Sequence, residues 1–136
     1  MRVVVVNKSG RKIGTGLIKK NSLKILRKLG GNWTVGIFFV SEREIKALNK
    51  KYRRKNRPTD VLSFEMKDEG YLGDVIISPD VAKRNAKRCK ARYNEEIARL
   101  VIHGILHLKG YDHEKKKDET KMFRKQDRLL KEVWGR

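Results

Sequence analysis

All three histidines of this 136-residue chain fall within one stretch of eleven, His103-Gly104-Ile105-Leu106-His107-Leu108-Lys109-Gly110-Tyr111-Asp112-His113. Their spacing prescribes local structure. Residues four apart lie one above the other on a helix, so His103 and His107 can present imidazole nitrogens to a common point. Gly110 can take a positive φ, end the helix and return His113 toward the same point. Three imidazoles with an open fourth position are the ligand set of catalytic zinc, whereas structural zinc usually closes its shell with cysteines. A lone histidine among apolar neighbours is usually a core residue. Three at this spacing, with none elsewhere, are read as the ligands of a single transition-metal ion, taken as Zn2+ and used for hydrolysis. Imidazole also suits nickel, copper and iron, so the spacing does not name the metal.

The pattern H-x-x-x-H-x-x-G-x-x-H has the spacing of the metzincin metalloproteases. Those enzymes carry a glutamate directly after the first histidine as general base for water attack on a peptide, and this chain has Gly104 there. A metallopeptidase is therefore the weaker reading of the histidines.

Charge points the same way. With 35 Lys plus Arg against 16 Asp plus Glu the formal charge is +19. Self-repulsion of that size opposes a compact state, and it is the electrostatic footprint of a protein that meets an anionic partner, here read as nucleic acid. A highly charged thermophile protein is the bland alternative, but ion-pair networks need both signs in similar amounts. The lone Cys89 excludes an intramolecular disulfide and a cysteine-based metal site, and fits an intracellular protein. No apolar run approaches a secretory signal or a membrane span, so a soluble chain is expected.

Along the chain, a single domain over 1–136 is expected. Val3 to Val6 read as a strand buried on both faces. Leu17, Ile18, Leu23, Ile25, Leu26 and Leu29 suggest a helix ended by Gly30-Gly31. Trp33 to Val40 read as a strand, followed by a helix over 41–52 capped by Ser41 with Glu44. A basic loop, Arg53 to Thr59, leads into the apolar run Val61 to Phe64, and Lys67 to Gly70 form a hairpin turn into Leu72 to Ile77. Ser78-Pro79 open a helix over 79–91, Asn94-Glu95-Glu96 open the histidine helix, and the last stretch, from about 115 to 133, places Met122, Leu129, Leu130, Val133 and Trp134 on an otherwise charged helix.

The string from His103 to His113, taken with Thr59-Asp60-Val61-Leu62-Ser63-Phe64 and Gly73-Asp74-Val75-Ile76-Ile77-Ser78, resembles the YbeY-type family of metal-dependent endoribonucleases of bacterial rRNA maturation. The resemblance runs from about Tyr52 to His113. It implies an α/β fold of α+β-like character, with a small mixed four-stranded sheet, surrounding helices, and a zinc site on a helix and the following turn. It further implies cleavage of single-stranded RNA in 16S rRNA processing and ribosome quality control, with the ribosome as partner, in the cytoplasm.

Zinc chemistry can draw a nucleophile from water at neutral pH without a dedicated glutamate, which makes Gly104 tolerable in a nuclease. Tyr52-Arg53-Arg54-Lys55 resembles the family's aromatic-Arg-x-Lys stretch. Arg53 is the candidate catalytic arginine, since a guanidinium can engage two phosphate oxygens at once, while a solvated basic loop is the plain alternative. Asp112 could orient a ligating imidazole or accept a proton, or be a turn aspartate. Asp60 and Asp74, read as strand starts, could place carboxylates near a cleft. Arg54, Lys55 and Arg57 in the loop, with Lys83, Arg84 and Lys87 of the basic run that continues through Arg88, Lys90 and Arg92, are the candidate RNA contacts. A non-catalytic RNA- or ribosome-binding protein with a structural metal is the remaining alternative.

Overall fold

The computed structural model describes residues 1–111 and 116–134. Its centre is a four-stranded sheet built from β1 (Arg2–Asn7), β2 (Thr34–Phe39), β3 (Val61–Asp68) and β4 (Tyr71–Ile77), in the spatial order β1-β2-β4-β3. β1, β2 and β4 run parallel, and β3 runs antiparallel to β4. Among the described residues five helices surround it: α1 (Thr15–Leu29), α2 (Glu42–Arg53), α3 (Pro79–Arg88), α4 (Tyr93–Leu108) and α5 (Lys116–Leu129), the last continuing into a π-helical turn, Leu130–Trp134. This is the mixed sheet with surrounding helices that the family resemblance implies.

Side-chain alternation divides the sheet between two apolar cores. Val35, Ile37 and Phe39 of β2 with Val75 and Ile77 of β4 point to one face, where they pack with Ile25 and Leu26 of α1 and Val101, Ile102, Ile105 and Leu108 of α4. Leu62 and Ile76 point to the other, under Ile45 of α2, joined by Phe38, Leu48 and Phe64. The cap of α2 forms as expected, the Glu44 amide donating to Ser41 Oγ at 3.1 Å.

Three expectations are corrected. The valine run of β1 is not buried on both faces: Val3 is, but Val4 is 38% exposed. β1 is an edge strand, and the second core, gathered on β2, β3 and β4, stops short of it. The helix expected over 79–91 ends at Arg88, because Lys90 turns with φ 55°, so Lys90 and Arg92 lie outside it. Asp74 is not at a strand start but in the middle of β4. Its carboxylate accepts from the Tyr71 hydroxyl, whose pKa is raised chiefly by burial and then by this bond. A Cβ at Gly36 would fall 2.3 Å from the Tyr71 hydroxyl and 2.5 Å from Asp74 Oδ1, so that glycine makes room for the pair. Asp74 lies on the sheet face opposite α4. Among the described residues no helix is long and apolar enough to cross a membrane.

Candidate active-site cleft

α4 is held unusually close to the sheet. A Cβ on Gly104 would meet Val75 Cγ1 at 2.4 Å, so only glycine lets the helix backbone rest on β4 there. The Ser63 hydroxyl of β3 donates to the Gly104 carbonyl at 3.2 Å and fastens the same turn to the sheet's edge. Gly104 therefore does more than lack a carboxylate. Its position faces the core, and no side chain there could reach a substrate.

One residue earlier and three residues later, the same helix presents its histidines to a cleft. His103 and His107 have ring centroids 4.8 Å apart with an interplanar angle of 71°, the adjacency that their spacing predicts. Both line a cleft of about 500 Å3 together with Arg53, Thr59, Asp60, Val61, Ser63, Glu65, Gly110 and Tyr111. Gly110 has φ 98°, so the chain leaves the helix through the positive-φ residue expected. Asp112 and His113 lie outside the described residues.

The third helix-borne component was missed by sequence reasoning. Gln126 of α5 is 2% exposed, and His103 Nδ1–H donates to its Oε1 at 2.8 Å. An amide oxygen can only accept, so the bond puts the proton on Nδ1 and leaves the lone pair on Nε2, the tautomer of a histidine that ligates through Nε2. A signal was present: Met122, Gln126 and Leu129 share helical spacing, and a polar residue on an apolar stripe asks for a partner. The Phe123 ring stacks near His103, centroids 6.2 Å apart at 27°. Two imidazoles on one helical face, one of them oriented by an amide, in a polar cleft are donors that could hold a transition-metal ion, although no group of three ligating side chains forms among the described residues. Replacing Gln126 with leucine should weaken zinc binding about 10- to 100-fold, whereas Gln126→Glu, still an acceptor, should largely retain it. Competition against a chromogenic chelator measures this, and equal affinities for parent and leucine variant would show that the bond does not select the tautomer.

Arg53 closes α2 rather than opening a loop, and its Nη2 donates to the Ser63 carbonyl at 3.3 Å on the outer edge of β3. Asp60 lines the cleft, but its carboxylate accepts from Asn85 Nδ2 at 3.2 Å and from the Thr59 hydroxyl at 3.4 Å. Glu65, which the sequence did not single out, also faces the cleft. Arg54, Lys55 and Arg57 are exposed in the following segment and do not line the cleft. Buried Asn49 shapes that segment, its Nδ2 donating to the Arg57 carbonyl at 2.9 Å. Lys83 and Lys87 are exposed on α3. Arg84 between them is engaged by Glu42 of α2 through two bonds of 2.6 and 2.9 Å, which hold the Glu42 carboxyl below its ordinary pKa. The basic run is thus partly compensated, by an acid from another helix.

The family model described as Endoribonuclease YbeY matches residues 6–134, well beyond the motifs from Tyr52 to His113. The chain belongs to this family. Similar proteins of the family include Endoribonuclease YbeY of Aquifex aeolicus, 46% identical over 89% of this chain and 84% of that protein. That of Persephonella marina is 39% identical over 98% of this chain and 94% of that protein. A solution structure of a Thermotoga maritima protein shares the fold with a TM-score of 0.74 and 38% identity, covering 98% of this chain and 89% of that one. The fold shared with that structure sets the order of strands and helices around the cleft, and among the described residues of the quoted motifs His103, His107, Arg53 and Ser63 meet there.

Proposed function

We propose that this chain is a metal-dependent endoribonuclease, with zinc as its ion on His103, His107 and His113, that cuts single-stranded RNA. Its place would be 16S rRNA maturation and ribosome quality control in the cytoplasm, with the ribosome as partner. The observation that carries the reading is one cleft that gathers a histidine pair at ligand spacing and an arginine on the neighbouring strand edge. Membership of the endoribonuclease family and a charge of +19 support RNA as the substrate.

When bound, the ion supplies Lewis-acid activation of water and neutralises charge at the reacting phosphate. The chain's own residues do the rest. Gln126 holds the His103 ring, and Ser63 holds the α4 turn to the strand edge. Arg53 is placed to engage the non-bridging oxygens of a phosphodiester, whose charge grows in the transition state. Exposed Lys83 and Lys87, with Arg54, Lys55 and Arg57, would attract the backbone from outside the cleft. The peptidase alternative loses support, because position 104 is packed against Val75 and has no room for the missing base.

The test is direct. Metal-loaded protein is offered labelled single-stranded RNA, duplex RNA and casein, with and without chelator. Cleavage confined to single-stranded RNA, lost on chelation and restored by zinc, is the expected outcome. RNA left intact by loaded protein, or casein cleaved instead, would overturn the reading.

A further inference from the structure

Among the described residues β3 is an edge strand, paired only with β4. Its alternation sends Ser63 and Glu65 to the histidine cleft and Phe64 to the opposite side. The last turn of α2 straddles this edge. Arg53 reaches over it to the Ser63 carbonyl, while Tyr52, one residue earlier, sits against Phe64 on the far side, ring centroids 5.3 Å apart at 69°. Tyr52 is nonetheless 57% exposed. The edge-to-face contact anchors the two rings to each other while more than half of Tyr52 stays open to solvent. The surroundings are cationic: Lys51 Nζ lies over one face of the Tyr52 ring, 5.2 Å from its centroid, on a flexible stem that an incoming base can displace, and Arg54, Lys55 and Arg57 follow in the chain.

An exposed, braced tyrosine therefore adjoins, in the chain and across one strand edge, the arginine that lines the cleft. A single strand passing through the cleft exposes unpaired bases, and every base has a π-face that an aromatic ring can cover whatever its sequence. We infer that Tyr52, backed by Phe64, is a stacking platform for an unpaired nucleobase next to the phosphate at Arg53. This rests on the proposed cleavage of RNA and adds to it a physical source of preference for single strands, because bases in a duplex are already stacked and cannot cover the ring. Burial for stability alone would leave the ring covered.

The experiment uses the full chain, freed of metal with chelator so that RNA stays intact, and an end-labelled single-stranded oligoribonucleotide followed by fluorescence anisotropy across a range of salt. Tyr52→Leu, which keeps an apolar body against Phe64, should weaken binding about 5- to 100-fold, and Tyr52→Phe should restore most of the loss. The slope of log affinity against log salt should be the same for parent and leucine variant, because stacking releases no counterions. An oligomer with one abasic position should bind the parent more weakly at the register that meets Tyr52, and the leucine variant without that loss. If Tyr52→Leu binds like the parent, or loses affinity only with a shallower salt slope, the platform is refuted while RNA cleavage by the parent still stands. A parent that neither binds nor cleaves RNA refutes both.

Discussion

A His107→Ala chain is expected to lose its metal ion and its RNA cleavage together while keeping its fold. His107 faces the cleft rather than the core, and the apolar neighbours Ile105, Leu106 and Leu108 that hold α4 in place are all buried. Removing an imidazole from the cleft therefore opens little cavity, and a stability change within about 1 kcal/mol is expected. The effect on the ion is much larger. Changes to outer partners of metal ligands typically cost about 10- to 100-fold in affinity, and loss of a ligand itself should exceed that. Equilibrium dialysis with metal analysis should find about one ion per parent chain and none on the variant, with activity falling in step. Full zinc occupancy of the variant would remove His107 from the ligand set, whatever the activity did.

Substitution of Gly104 should act in the opposite way, on the fold before the chemistry. A methyl group there meets Val75 Cγ1 at 2.4 Å and Cγ2 at 2.9 Å, and a β-branched core side chain has few rotamers with which to give way. α4 must lift from the sheet or β4 must shift, so Gly104→Ala should cost about 1–3 kcal/mol, a fall in Tm on the order of 5–10 °C. Gly104→Glu, which would write the metzincin base into the histidine pattern, places a carboxylate in the same apolar contact and should yield no stable protein. Val75→Ala removes both clashing methyls, so Val75→Ala combined with Gly104→Ala should lose less stability than the two single losses summed. Thermal or urea melts of the four proteins decide it. An alanine variant as stable as its parent would mean that the close approach does not constrain this position.

The histidine helix was largely legible in the sequence because its determinants are local. His103 and His107 at helical spacing, Gly110 at the exit and acids at the start each act through backbone neighbours a turn away. The caps at Ser41 and Ser78 were legible for the same reason. Residues that act across the fold were not. Gln126 is twenty-three positions from the ring it orients, and Asn49 grips a carbonyl eight residues on. Arg84 looked uncompensated because Glu42 lies on a different helix. The four valines of β1 read as doubly buried because a run of apolar residues reports affinity for a core, not whether another element arrives to cover the second face.

Gly104 divides the two kinds of information. The amino-acid order alone determined that a helix would carry two imidazoles on one face, that the next residue could not be a base, and that an anionic partner was expected. Only the tertiary structure decided why that residue is glycine: the helix rests on Val75, so position 104 belongs to the core while its neighbours belong to the cleft. Spacing follows from covalent geometry within one helix. Which face meets the sheet, which strand is left as an edge beside Arg53, and which amide reaches His103 follow from packing among distant segments, whose free energy no local pattern contains.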